Sequence, residues 1–270
     1  MADAKMIESR VDNGIALLEI NRPPVNSYTT ELLKELDAAI LDARFNDDVH
    51  ALVITGKVEK FFSAGADINM LSKQSLGFKN NFALHGHEVL MRLENTPKIV
   101  IAAINGHAVG GGLEIAMACD IRIAKKEGGR CGLAEINLGV MPGMGGTQRL
   151  PRLVGKARAM ELCATGKTIA FEEALEMGLI HYIYEKDHFM DEFWITPASS
   201  WCQIKAVLPS ARSSARFKPA SSCLCRTGWP SSVNCWRRPL AAKTARRASR
   251  LISKNAPHSS KESSSQYLLN

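Results

Sequence analysis

No stretch of the 270 residues is long and apolar enough to cross a bilayer. The opening residues, Met-Ala-Asp-Ala-Lys-Met-Ile-Glu, lack the charged-then-apolar layout of a secretory signal. Both omissions point to the cytoplasm, where the seven cysteines need not pair. No two of them stand in a C-x-x-C spacing, so no metal site is expected. The segment Gly106 to Gly112 does not fit G-x-G-x-x-G, which leaves a Rossmann dinucleotide site unsupported. Gly166-Lys167-Thr168 resembles the end of a phosphate loop, but Glu161 stands where that loop needs glycine. Tryptophan is missing from the first 193 residues, and acids are nearly missing from the rest: residues 194–270 hold 13 Lys and Arg against one acid. Of the chain's 34 basic and 27 acidic residues, the first 193 therefore keep 21 and 26. The body is mildly acidic, and the tail carries all the positive excess.

What is present centres on Ile101 to Asp120. An apolar run over residues 99–104 has the character of a buried strand. Asn105 and Gly106 break it, Gly110, Gly111 and Gly112 follow, and a helical pattern opens with Leu113, Ile115, Ala116 and Met117. Bare backbone at a helix start admits close approach, and the first helical amides have no partners inside the helix. A carbonyl oxygen gaining negative charge is stabilised there. Glu114 lies in the same turn. Close helix packing through glycine, with Glu114 as an ordinary first-turn acid, accounts for this stretch equally well when it is taken alone.

The rest of the chain alternates strand and helix. Strands are expected at 14–20, 50–55, 120–124 and 180–184. Thr29 or Thr30 can cap a helix that buries Leu32, Leu33, Leu36, Ala39, Ile40 and Ala43. Phe61 and Phe62 lead into Ser63-Ala64-Gly65-Ala66-Asp67-Ile68, small enough for a ligand to lie against the backbone, or simply a turn capped by Asp67. Residues 71–80 read as a polar loop, and residues 82–93 as a helix with Leu84, Val89, Leu90 and Leu93 inward. Residues 132–136 are short and extended, with Glu135 at or just past a strand end, and residues 138–147 form a glycine-rich loop. Helices fit 157–164 and 171–177. The alternation points to an α/β architecture. His107 reads as a partly buried loop histidine, Cys119, Cys131 and Cys163 as packing residues, and Met141 and Met144 as pocket or core fillers.

Asn21-Arg22-Pro23, Phe62 through Ile68, Ala103 through Asp120, Glu135-Ile136 with Leu138-Gly139, Pro142 through Arg149, and Thr165-Gly166-Lys167 with Glu173-Ala174 and Gly178-Leu179 occur in order. Together they resemble the enoyl-CoA hydratase/isomerase (crotonase) family over roughly 190 residues. The resemblance implies a spiral of repeated ββα units, assembled as trimers or dimers of trimers. It implies an acyl-CoA thioester substrate, with CoA as part of that substrate and no separate cofactor. Ala66 N–H and Gly111 N–H would hold the thioester oxygen. Ala64, Gly65, Asp67 and Ile68 would contact CoA, with Gly110, Leu138 and Pro142 lining the site and Gly143 close to a bound water. Glu114 and Glu135 match the two acids of hydratases, so hydration of a 2-enoyl-CoA is expected, with burial and like charge raising the pKa of one acid. An isomerase, or an inactive acyl-CoA- or RNA-binding scaffold, is the alternative.

The same resemblance implies a helical, trimer-forming C-terminus, which the chain lacks. Residues 194–270 show serine pairs, prolines and arginines without amphipathic repeat, plus four Trp and four Cys that a disordered basic tail would not carry. A catalytic core at 1–193 and an atypical tail at 194–270 are therefore expected. Translation out of frame, beginning between about Phe193 and Ala206, explains the tail's composition better than a natural basic tail binding RNA or an acidic surface does, and no membrane partner is expected.

Overall fold

The computed structural model describes residues 5–185 and Phe189. The expectation of an atypical tail at 194–270 falls outside these residues. The described chain runs β1 (Ile7–Asp12), β2 (Ile15–Ile20), α1 (Thr30–Phe45), β3 (Ala51–Gly56), β4 (Phe61–Ser63), α2 (Ile68–Ser72) and α3 (Leu76–Glu94). It continues through β5 (Ile99–Ile104), β6 (His107–Val109), α4 (Gly111–Ala118), β7 (Ile121–Lys125), β8 (Arg130–Gly132) and a 3-10 turn (Glu135–Leu138). It ends with α5 (Gly146–Val154), α6 (Lys156–Thr165), β9 (Ile169–Ala170), α7 (Phe171–Glu176) and β10 (Tyr182–Tyr184).

Two sheets share these strands. The larger is ordered β1-β2-β3-β5-β7-β10 and the smaller β4-β6-β8-β9. β1 and β2 are antiparallel, and every later pair in the large sheet is parallel. In the small sheet β4, β6 and β8 run parallel, and β9 closes the edge antiparallel. Three visits to the large sheet are each followed by one to the small sheet and then by a helical segment: β3-β4-α2, β5-β6-α4, β7-β8 and the 3-10 turn. Successive units therefore advance one strand in both sheets, which is the repeated ββα pattern expected from the resemblance.

Burial explains the elements. β3 (ALVITG) and β5 (IVIAAI) are buried at five of six positions, as parallel strands covered on both faces must be. All eight residues of α4 are buried, and its sequence is apolar all round except for Glu114. α1 buries Leu32, Leu33, Leu36, Ala39, Ile40 and Ala43, as its 3.6-residue periodicity predicts, and Thr29 is the capping residue.

The structure differs from expectation in several places. β1 was not anticipated: only Ile7 of its six residues is buried, so it has no core face to read and is held by its ladder with β2. Much of the expected loop at 71–80 is helical. α2 ends at Ser72, and Ser75 caps α3, accepting from Phe78 N–H at 3.2 Å. Leu84 is exposed, not inward; Phe82, Gly86, Val89, Leu90 and Leu93 form the buried stripe. His107 opens a strand and accepts a hydrogen bond from Arg130 N–H at its Nδ1. Met144 is buried in the core, but Met141 is exposed, since the loop that carries it lies on the surface. Cys119 and Cys131 are buried as packing residues and Cys163 partly so.

Candidate active site

Three turns at strand ends build the site. In the first, Ala64 N–H donates to Val25 O at 3.0 Å, and Gly65, at φ 87°, accepts from Tyr28 N–H at 2.9 Å. Asp67 N–H returns the bond to Tyr28 O at 3.0 Å, so Tyr28 and Ala66 face each other across an isolated parallel bridge. This pairing leaves Ala66 N–H without an acceptor among the described residues. Asp67 caps α2, its Oδ1 accepting from Met70 N–H at 3.0 Å and its Oδ2 from Arg22 at 2.7 Å. Both interactions hold its carboxyl below the usual range. Buried Asn26 ties the preceding loop to β4 by donating to Phe61 O and Phe62 O.

The second turn is Gly110-Gly111-Gly112 at the start of α4. Each glycine is occupied by a different part of the chain. A Cβ on Gly110 would lie 3.1 Å from Glu135 Oε1, one on Gly111 would lie 1.9 Å from the Tyr28 hydroxyl, and one on Gly112 would lie 2.1 Å from Ser63 O. A Cβ on Gly65 would lie 3.2 Å from Gly111 N, so the first two turns abut. Gly111 N–H, at the head of the helix, also lacks an acceptor among the described residues. Two unspent amides on abutting turns thus stand at the positive end of a buried helix.

The two acids flank this junction. Glu114 is 1% exposed, and its Oε1 accepts from Met144 N–H at 2.9 Å and Gly146 N–H at 2.7 Å. Arg149, buried behind it, donates to Met144 O and pairs with Glu94 at 2.9 Å, fixing the loop that holds the carboxylate. Burial raises the Glu114 pKa, and the two amides together with Arg149 and His87 oppose that rise. Glu135 opens the 3-10 turn after β8. Its Oε2 is buried with no hydrogen-bond partner among the described residues. Burial, with a further push from the negative charge of Glu114, raises its pKa to about 7.

The remaining expected residues are placed less tightly. Ile68 is 55% exposed at the head of α2, and Leu138 is 56% exposed at the end of the 3-10 turn. Pro142 is half-buried and Gly143 exposed in the loop leading to Met144. The structure thus brings together Ala64, Gly65, Ala66, Gly110, Gly111, Glu114 and Glu135, and leaves Ile68, Leu138, Pro142 and Gly143 more exposed, on the head of α2, the end of the 3-10 turn and the loop after it. Sequence reasoning missed Tyr28, whose ring reaches the site from the loop before α1. It also missed the role of Gly146, where a Cβ would come 3.0 Å from Glu114 Oε1. Nothing in local sequence marks Tyr28; the glycine pair at 145–146 was a signal for Gly146.

The description Enoyl-CoA hydratase/isomerase matches residues 10–220. The chain belongs to the enoyl-CoA hydratase/isomerase family. It is 45% identical over 179 residues to a probable enoyl-CoA hydratase of Bacillus subtilis, covering 64% of this chain and 67% of that one. It is 44% identical over 178 residues to a short-chain-enoyl-CoA hydratase of Clostridium acetobutylicum, covering 66% and 68%. Among solved structures, the Geobacillus kaustophilus protein described as an enoyl-CoA hydratase superposes with a TM-score of 0.69 at 38% identity, covering 79% of this chain and 76% of that one. Its Bacillus anthracis counterpart gives 0.67 at 35% identity, covering 69% and 73%. The architecture is therefore the family's α/β spiral of ββα units. Among the described residues no cluster of His, Cys, Asp or Glu could hold a metal ion, and no helix could cross a membrane.

Proposed function

We propose that this enoyl-CoA hydratase/isomerase family member is a hydratase that adds water across the 2,3 double bond of a 2-enoyl-CoA, giving the 3-hydroxyacyl-CoA of β-oxidation or a related acyl-CoA breakdown. The observation that carries the reading is the pair of carboxyls, Glu114 and Glu135, gathered at the glycine turn with two amides that have no acceptor among the described residues. Attack of water at Cβ drives electron density onto the thioester oxygen as an enolate. Ala66 N–H and Gly111 N–H stabilise that oxygen without reorganising. Glu114, whose Oε1 accepts from the Met144 and Gly146 amides, acts as the carboxylate that orients the water and takes its proton. Glu135, with its carboxyl raised to about 7, delivers a proton to Cα. The reaction consumes only water and thioester, so it calls for no cofactor; CoA enters as part of the substrate. Ala64, Gly65, Asp67, Ile68, Gly110, Leu138, Pro142 and Gly143 form the surface offered to CoA and the acyl chain.

The reading extends to a cytoplasmic protein divided at residues 193/194 between catalytic core and out-of-frame tail, which with an intact C-terminus would assemble as a trimer or dimer of trimers. An isomerase needs only one acid, and the presence of both favours hydration. The test is loss of the ultraviolet absorbance of crotonyl-CoA against a 3-enoyl-CoA isomerisation assay. Turnover of the 3-enoyl substrate alone would replace hydration with isomerisation.

A further inference from the structure

We infer that Tyr28 supplies a third hydrogen-bond donor to the thioester oxygen, its hydroxyl acting beside Ala66 N–H and Gly111 N–H. This rests on the hydratase reading above and adds a residue to it.

Placement comes first. Tyr28 is 4% exposed, and its main chain forms the bridge to Ala66 that frees one proposed oxyanion amide. Its hydroxyl reaches over the Cα of Gly111, the other proposed oxyanion residue, where a Cβ would come within 1.9 Å of it. One residue therefore touches both halves of the hole, through its backbone on one side and its side-chain tip on the other.

The hydroxyl is also unspent. It makes no hydrogen bond among the described residues, although its ring is buried. A buried phenol ordinarily finds a partner. Other ring contacts fix its aim: Tyr28 stacks on Phe82 at 5.8 Å and 15°, and Phe82 stacks on Phe78 at 6.3 Å and 14°. This ladder along α3 leaves the ring little rotational freedom, so the oxygen points at the glycine turn.

Protonation fits a donor role. Burial, and then the charges of Glu114 and Glu135, raise the phenol's pKa well above its ordinary value of 10.0. Tyr28 thus stays a neutral donor across the working range and cannot serve as a base. The nearby carboxyls also exclude a negative phenolate, whereas an enolate oxygen between three donors is well accommodated.

Tyr28→Phe in the full chain separates this role from packing, because it keeps the stacked ring and removes only the hydroxyl. The expected result with crotonyl-CoA is a kcat roughly a hundredfold lower with KM little changed, the pattern of a contact made in the transition state, at an unaltered thermal midpoint. A second readout needs no turnover. A 3-oxoacyl-CoA such as acetoacetyl-CoA ionises to an ultraviolet-absorbing enolate, and its bound enolate fraction is expected to fall in Tyr28→Phe relative to the parent. Parental kcat and parental enolate fraction in the variant overturn the inference, as does a raised KM with kcat unchanged. If the parent chain itself fails to hydrate crotonyl-CoA, the hydratase reading falls, and the enolate comparison alone still decides on Tyr28.

Discussion

At the residue scale the site depends on two carboxyls in unequal surroundings. Glu114 is wrapped by amide donors and a nearby arginine, whereas Glu135 has a buried oxygen with no donor among the described residues. Replacing either by Gln keeps shape and removes charge. Each variant is expected to lower kcat on crotonyl-CoA by about a thousandfold or more while sparing acyl-CoA binding, measured by steady-state kinetics and calorimetry. The raised carboxyl of Glu135 also sets a pH dependence. Its acid form is lost above about pH 7, so kcat/KM is expected to fall tenfold per unit there, and the limb should vanish in Glu135→Gln. Stability follows the same sign. The folded chain binds this proton more tightly than the unfolded chain, whose ordinary value is 4.5. The stabilisation is full below about 4.5 and is lost as pH rises through about 7. The thermal midpoint of the parent relative to Glu135→Gln should drop over that window; a constant difference would mean the carboxyl is not raised. The acids were singled out by the family resemblance, since a Glu beside a glycine turn is by itself as readily an ordinary first-turn acid or cap. Tyr28 was not, because its hydroxyl belongs to the site only once the chain has folded and its own neighbours, Ser27 and Thr29, say nothing of Gly111.

At the element scale the glycine run of α4 is where three segments dock. Gly110 receives Glu135, Gly111 receives Tyr28 and Gly112 receives the Ser63 carbonyl. Of these contacts only the last is with backbone, which cannot swing away. Gly112→Ala would set its Cβ 2.1 Å from Ser63 O and push α4 off β4. The expected cost is about 3 kcal/mol of stability in denaturant titration, together with lost activity as the oxyanion turns separate. An unchanged unfolding midpoint would show that the two elements do not pack as described. The glycines themselves were conspicuous in sequence, and so were the long buried strands β3 and β5 and the helix α1, whose apolar periodicity is unbroken. The small sheet was not. β4, β6 and β8 have three residues each, too few to show a period, and they are strands only because the large-sheet strands before them deliver the chain to the same edge. The start of α3 was hidden for a related reason: its first turns face outward, so the cap at Ser75 was the only mark of the helix.

At the scale of the whole molecule, alternation alone predicts an α/β chain, but not that successive units climb one strand in two sheets at once. That came from the resemblance, because which sheet a strand joins depends on distant neighbours. The tail poses the converse problem. Its 13 basic residues against one acid, its four tryptophans and its four cysteines contrast with a body holding 21 basic and 26 acidic residues and no tryptophan. A change in amino-acid usage this abrupt, in charge and in rare residues together, is what a shift of reading frame produces, since every codon after it is sampled out of phase. The expected outcome is that a single-base correction between the codons for about Phe193 and Ala206 restores an acidic, amphipathic C-terminus. The corrected protein should then elute as a trimer or hexamer and hydrate crotonyl-CoA faster than the chain as it stands, with mass measured by light scattering. Should no single-base change restore such a segment, residues 194–270 are native, and their positive charge becomes the property to explain, beginning with whether acyl-CoA affinity weakens steeply as salt is raised.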